Sequence, residues 1–397
     1  MNAARRRTRR SVGTILGGVA ALLVVVLLAV YGWARSSTDT STIARALVWR
    51  ESDVGDQHRF PARRIRTGPR ASPLRGGAEL DFTNVAARSG ERSFDDLLRQ
   101  RKTLAFLVVH GNRVVYERYY DGATRGSRQT SFSVAKSFLS TLVGIAIDEK
   151  RIGSVDDPVT TYLPELAERD RRFEKITLRD LLTMSSGIRY WDTDLPWPWA
   201  DDTYTYYGVD LRDAALNRTR IERPRGDEWH YNNYNPLLLG LILERATGMS
   251  VSEYMSAKLW QPLGAEADAT WSFDSERFGF EKLESGINAT AADYARFGLV
   301  FLHQGNWNGA RIVSREWVQA ATAADTTTDP AAFYQYFWWV DLERAGRYYA
   351  LGDHGQYVYV APDADAVVVR LGREWGADNH SWLTTLRSVA DQLASGS

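Results

Sequence analysis

The stretch Thr130–Leu142, TSFSVAKSFLSTL, sets Ser133 and Lys136 three residues apart at the start of an apolar-periodic run. That spacing is close to one helical turn, so hydroxyl and amine fall on one face and can share a proton. The run continues through Ala135, Phe138, Leu139, Leu142, Val143, Ala146 and Ile147, the i, i+3, i+4, i+7 pattern of a buried helix. Burial decides the chemistry. Desolvation and the positive end of the helix dipole both work against an ammonium, so Lys136 is expected to lose affinity for its proton and, once neutral, to deprotonate Ser133. A Ser followed by a Lys at this spacing also arises by chance, so the pair gains weight from what accompanies it.

Composition narrows the field. The chain has 397 residues, 44% of them hydrophobic, enough for one large core or two subdomains. Its 49 basic and 49 acidic residues cancel, so no global field points to nucleic acid. Cys is absent, which excludes disulfides, thiolate catalysis and Cys-ligated metal. No His pair has ligand spacing, and neither a metal nor another cofactor is expected. Only 6 of the basic residues are Lys, so Lys136 is drawn from a scarce type.

Residues 1–11 hold Arg5, Arg6, Arg7, Arg9 and Arg10 without an acid, and Val12–Ala34 is uncharged and mostly apolar. As a helix that segment spans about 34 Å, enough for a hydrocarbon core of about 30 Å. Arginines before it, with Tyr31 and Trp33 at its far end, predict a basic cytoplasmic tail (1–11), a signal-anchor helix (12–34) and an extracytoplasmic remainder in a single-pass membrane protein. A cleaved signal peptide is the competing reading, disfavoured by the segment's length and its YGWARSS ending. Residues 35–78, Arg-rich and broken by Pro and Gly, read as a linker or an extended strap.

From residue 79 to 397 the pattern is that of a folded domain. A helix at Ser93–Arg101 precedes TLAFLVVH (Thr103–His110), Gly111-Asn112 and RVVYERYY (Arg113–Tyr120), a β-hairpin signature. A mainly helical middle follows. Ile176–Met184 ends at Gly187, Pro236–Ala246 stops at Thr247-Gly248, Ser250–Glu253 is a capping box, and Thr290–Gln304 is amphipathic. Strand composition returns at Phe333–Asp341, Arg347–Leu351, Gln356–Val360 and Ala366–Leu371, before a last helix at Trp382–Leu393. Strands at both ends and helices between imply an α+β fold with one sheet assembled from both ends.

Two further segments bear on chemistry. In Trp229–Asn233 (WHYNN), Tyr231 and Asn233 lie two apart on a loop, where both are able to face a nucleophile. Tyr231 as a phenolate beside a Lys ammonium is suited to relaying a proton to a leaving group, and Asn233 to holding Lys136 and a substrate carbonyl. Packing for the Tyr and capping for the Asn are the plainer readings. Tyr190–Tyr207 (YWDTDLPWPWADDTYTYY) gathers three Trp with several Asp, either to line an acyl pocket or to staple a long loop to the domain.

Taken in order, Ser133-x-x-Lys136, LLTMSSG (Leu181–Gly187) and Tyr231-x-Asn233 with LLG (Leu238–Gly240) resemble the β-lactamase-related serine hydrolases over roughly residues 95–375. That group includes class C β-lactamases, D-alanyl-D-alanine carboxypeptidases, related esterases and 6-aminohexanoate-dimer hydrolases. The resemblance implies a β-lactamase/transpeptidase-like fold, a mainly antiparallel sheet flanked by helices plus an all-helical subdomain. It also implies Ser133 as acylated nucleophile, Lys136 as its base and Tyr231 as acid/base partner. The chain departs from the family at the third motif, where penicillin-recognising members carry Lys-Thr-Gly or His-Thr-Gly and this chain has Gly352-Asp353-His354-Gly355-Gln356. There His354 is the candidate cation, Gly355 the point of close backbone approach and the Gln356 N–H an oxyanion donor beside that of Ser133. The implied substrate is a small ester or linear amide. Wall peptides or β-lactams, and a non-catalytic domain that binds wall fragments, are the alternatives.

Overall fold

The structure, a computed structural model, describes residues 2–69, 71–193, 197–324 and 330–395; in the first helix it describes side chains at residue 16 and from residue 18 onward. Two compact units emerge. The larger comprises Asp53–Tyr190 and Asp210–Ser397, the smaller Met1–Ser52 and Trp191–Val209.

The larger unit is built on an eight-stranded sheet whose order, by residues, is 334–335, 338–340, 348–352, 356–361, 366–372, 103–110, 113–119 and 75–76. All pairings are antiparallel except that of Arg75–Gly76 with Arg113–Val114. Thr103–His110 pairs with Ala366–Gly372, so the two ends of the domain meet in the centre of the sheet, as expected. The central strands split by parity. Ala105, Leu107, Val109, Val358, Val360, Val367 and Val369 enter one core, and Phe106, Val108, Tyr357, Tyr359, Ala366 and Val368 the other. A strand buried on both faces reads as a continuous apolar run because both parities need apolar side chains. The first core is closed by the helices Val134–Asp148 and Ala291–Leu302, the second by Phe94–Gln100 and Asn379–Ser395. Gly111 and Asn112, both at positive φ (54° and 60°), make the two-residue turn of the 103–119 hairpin.

Helix ends follow their caps. Ser93, Thr177, Ser250 and Thr290 each accept from the backbone N–H three residues on, and Gly248 (φ 71°) closes Tyr234–Thr247. The last helix starts three residues earlier than its apolar stripe, at Asn379.

Two expectations are corrected. Phe333–Asp341 is a tight hairpin, Tyr334–Gln335 and Trp338–Val340, because Tyr336 and Phe337 turn at φ 39° and 65°. Non-glycine residues hold that turn because Ser137 Oγ donates to the Phe337 carbonyl at 2.7 Å and the Phe337 N–H to the Leu182 carbonyl at 3.1 Å. The 35–78 stretch is more regular than a linker. It holds the helix Thr42–Trp49, the strand Ala62–Ile65 paired with Ala269–Ser272, and Arg75–Gly76 on the main sheet.

In the smaller unit one helix, Asn2–Ser36, contains at Gly18–Ser36 a span long and apolar enough to cross a membrane. The Arg5–Arg10 side chains lie outside the described residues.

Candidate active site

The strand Gln129–Thr130 leads into the site, and Ser131 is fixed by its N–H to the Ile287 carbonyl at 2.7 Å. Phe132 then turns at φ 44°, a left-handed conformation that costs an L residue free energy and persists only where the surroundings enforce it. Ser133 follows at the N-cap position of Val134–Asp148, yet its side chain makes no capping bond. Its hydroxyl instead accepts from Lys136 Nζ at 2.8 Å.

Lys136 is buried, and its Nζ also donates to the Glu284 carbonyl at 2.8 Å. Both acceptors are uncharged. Desolvation therefore dominates and brings the amine down from 10.5 to about 7; the Glu284 carboxylate pulls it up and Lys282 pushes it further down. Near neutral pH a large share of Lys136 is free amine, able to take the Ser133 proton.

Tyr231 lies beside this pair. Its hydroxyl is within hydrogen-bond reach of Ser133, and its ring centroid lies 4.8 Å from Lys136 Nζ. Burial raises its pKa above the ordinary phenol value, so the resting group is a neutral phenol and not the phenolate expected from sequence. The LLTMSSG stretch holds it there. The Met184 carbonyl, at φ 58°, accepts from the His230 N–H at 2.8 Å, and its thioether from Asn232 N and Asn235 Nδ2. Ser186 Oγ donates to Asn235 Oδ1 at 2.8 Å, and Asn232 Nδ2 to the Ile188 carbonyl at 2.8 Å.

Asn233 departs from its expected role. It donates to the Tyr190 hydroxyl at 3.0 Å and not to Lys136, and its amide oxygen is buried without a partner. The reason is local: Asn233 already has helical backbone (φ −74°, ψ −10°), and residues two apart share a face only in extended chain.

At the third motif, the backbone that abuts Ser133 is that of Gly352. A Cβ there would stand 2.1 Å from the Ser131 carbonyl oxygen and 3.1 Å from Ser133 N. Gly352 ends the strand Tyr348–Gly352, with Gln356 as its register partner on the next strand. The Gln356 side chain turns into the sheet and exchanges hydrogen bonds with Gly372, Nε2 to O at 2.8 Å and Oε1 from N at 3.1 Å. The close approach expected of Gly355 has another cause. A Cβ on it would lie 2.1 Å from Arg370 Nη1, whose guanidinium is spent on the His354, Gly355, Arg101 and Glu374 carbonyls. His354 reaches the site edge, its ring 5.0 Å from that of Phe132 and its Nε2 3.7 Å from the Asp353 carboxylate.

Three features escaped the sequence reading. Lys282 and Glu284 form a fully buried ion pair at 2.8 Å beneath Lys136, with Ser285 Oγ on the same carboxylate oxygen at 2.9 Å. Phe333 and Trp339 line up beside Tyr231, the Trp339 ring 6.4 Å away and stacked, as an aromatic wall. Tyr190 orients Asn233. For the ion pair, a hint lies in a further Lys of a scarce type, in KLESG.

Known proteins resemble this chain in sequence and fold. A family model described as Beta-lactamase matches residues 91–389. The 6-aminohexanoate-dimer hydrolase of Paenarthrobacter ureafaciens is 33% identical over 305 residues, 72% of this chain and 76% of that one. Esterase EstB of Burkholderia gladioli is 31% identical over 219 residues, 50% of this chain and 55% of its own. Among solved structures, a Bacillus anthracis protein provisionally named a 6-aminohexanoate-dimer hydrolase superposes with TM-score 0.77 at 25% identity, covering 88% of this chain and 95% of the other. A class C β-lactamase from Rhodobacter sphaeroides superposes at 0.58 with 19% identity, over 78% and 99% of the two chains, and shares the fold.

Proposed function

We propose, for a chain that belongs to the beta-lactamase family and is a hydrolase related to 6-aminohexanoate-dimer hydrolase and esterase EstB, that it is a membrane-anchored serine hydrolase cleaving small esters or linear amides through an acyl-Ser133 intermediate. The observation that carries this reading is the 2.8 Å bond between Ser133 Oγ and a buried Lys136 whose partners are all uncharged.

The reaction follows from those atoms. Neutral Lys136 takes the Ser133 proton as Oγ attacks the substrate carbonyl carbon, leaving a tetrahedral oxyanion and a Lys136 ammonium. The Ser133 N–H, with the first backbone N–H past the Gly352 contact, that of Asp353, is the proposed donor pair for the oxyanion, worth on the order of 3 kcal/mol per donor. On collapse the C–N or C–O bond breaks, and the leaving group takes the Tyr231 hydroxyl proton. The Lys136 ammonium returns a proton to Tyr231, so the costly phenolate does not accumulate. Water then repeats the sequence on the acyl-enzyme, passing its proton to Lys136, and Ser133 regains its own as the acid departs.

The Phe333–Trp339 wall suits an unbranched or aromatic acyl chain. The Lys of the family's third motif is missing, which removes the cation that grips a substrate carboxylate and weighs against β-lactams and wall peptides. A fluorophosphonate probe with a panel of chromogenic esters, amides and a cephalosporin tests the reading. Labelling of wild type but not Ser133→Ala, with turnover of esters or amides, is expected. Equal labelling of both overturns it, and rapid stoichiometric acylation by the cephalosporin reverses the substrate order.

A further inference from the structure

Among the described residues outside the first helix, the exposed large apolar side chains are few, and more than half of them lie in the smaller unit: Leu47, Trp191, Trp197 and Trp199. Trp197 and Trp199 are 52% and 57% exposed with ring centroids 5.5 Å apart, while Ala200, Thr203, Thr205 and Tyr207, which follow them, are buried. The loop is held down by Tyr207 and its small residues, while the two indoles face solvent.

The loop is not free to wander. Arg45, on the helix Thr42–Trp49, is 2% exposed and donates Nη1 to the Tyr207 and Gly208 carbonyls at 3.3 and 3.2 Å. The Tyr207 hydroxyl donates to the Arg50 carbonyl, Val209 N to Thr42 Oγ1, and the Trp49 and Tyr207 rings meet edge to face at 6.1 Å. Segment 191–209 is thus fastened to Thr42–Trp49. That helix in turn begins six residues after the apolar helix ends at Ser36, and six residue steps reach at most about 22 Å. The connection is shorter still, because Ser37, Thr40 and Ser41 close turn hydrogen bonds across it and Arg45 Nε holds the Thr38 carbonyl at 2.6 Å.

We propose that Trp197 and Trp199 insert into the headgroup layer of the bilayer that Gly18–Ser36 spans, making the loop a second membrane contact beside the anchor. The inference rests on the anchored reading above. Indoles favour that layer because an apolar ring and a polar N–H suit its two sides, and Tyr31 and Trp33 sit exposed at the same end of the apolar helix. Segment 191–209 contains no Lys or Arg and several Asp, so the contact is aromatic and not electrostatic, independent of anionic lipid.

The absence of Cys permits a clean test in the full chain. Trp199→Cys, Trp33→Cys and Ser89→Cys, each carrying an environment-sensitive fluorophore, are reconstituted singly in nanodiscs of zwitterionic lipid, with or without a headgroup-attached quencher. The expected result is quenching at positions 33 and 199 roughly threefold or more above that at exposed position 89, unchanged in high salt. Quenching at 33 with position 199 no different from 89 overturns the loop contact and leaves the anchor standing. No quenching at 33 overturns the anchored reading and the inference with it. A blue-shifted label at 199 that the lipid quencher does not reach assigns the indoles to a protein partner and also overturns it, as does quenching lost in high salt.

Discussion

Two buried lysines meet at this site, and their nearest hydrogen-bond acceptors differ. Lys282, in the turn before Gly286, has a carboxylate at 2.8 Å and lies over the Phe60 ring at 4.4 Å. Lys136, one helical turn from Ser133, has a hydroxyl and a carbonyl. Both are about 1% exposed, so burial does not distinguish them. The acceptors do: Lys282 is paired with the Glu284 carboxylate, whereas Lys136 has uncharged acceptors and is brought down by desolvation to about 7. Glu284 serves both, its carboxylate engaging Lys282 and its backbone carbonyl aligning Lys136.

The strongest way to break this contrast is to remove what the neutral lysine acts on. Ser133→Ala should lower kcat/KM by about 10^4-fold or more, and Lys136→Met, which keeps the volume, should come close to it because nucleophile and base act as a unit. Steady-state assays with an activated ester check both, and a small or additive loss would separate the two residues. Tyr231→Phe should lower kcat by about 10^2-fold with little change in KM, more for amides than for activated esters, since only a poor leaving group needs the phenol proton. Equal losses on both substrates would contradict that role.

The smallest effects sharpen the comparison most. Lys282→Met leaves the Glu284 carboxylate uncompensated beside Lys136 and should move the acid limb of the kcat/KM profile above pH 7, a several-fold loss at neutrality recovered at higher pH. Glu284→Gln leaves the Lys282 charge unbalanced and should move the limb below pH 7. The sign follows from the base role: activity belongs to the deprotonated amine, present above its pKa and lost as pH falls through it. Breaking this buried pair should also cost about 3–5 kcal/mol of stability in either variant. Similar stability losses with opposite pH shifts separate tuning from simple damage, whereas shifts in one direction would leave only the structural role.

Much of the domain was legible wherever a local pattern suffices. Thr103–Tyr119 declared itself by apolar strands around Gly111-Asn112, and the Ser133–Lys136 pair by helical spacing. The order of the motifs pointed to Tyr231, whose hydroxyl lies within hydrogen-bond reach of Ser133. What escaped depends on partners distant in sequence. Tyr336-Phe337 is a turn only because Ser137 and Leu182 hold it, and Gly355 is a glycine because of Arg370. Gly352, not Gly355, is the glycine that abuts Ser133, because the Phe132 turn brings Ser131 and Ser133 against the end of its strand. Asn233 points away from the expected face because its backbone is already helical, where residues two apart no longer share a side.

The central claim is that Ser133 is activated by an amine kept neutral through burial, and the pH dependence of its acylation rate tests this most directly. Single-turnover acylation by a chromogenic ester should rise through one ionisation near pH 7, and that ionisation should vanish in Lys136→Met. A rise centred near the ordinary amine value of 10.5, or a midpoint near 7 that survives in Lys136→Met, would contradict the account.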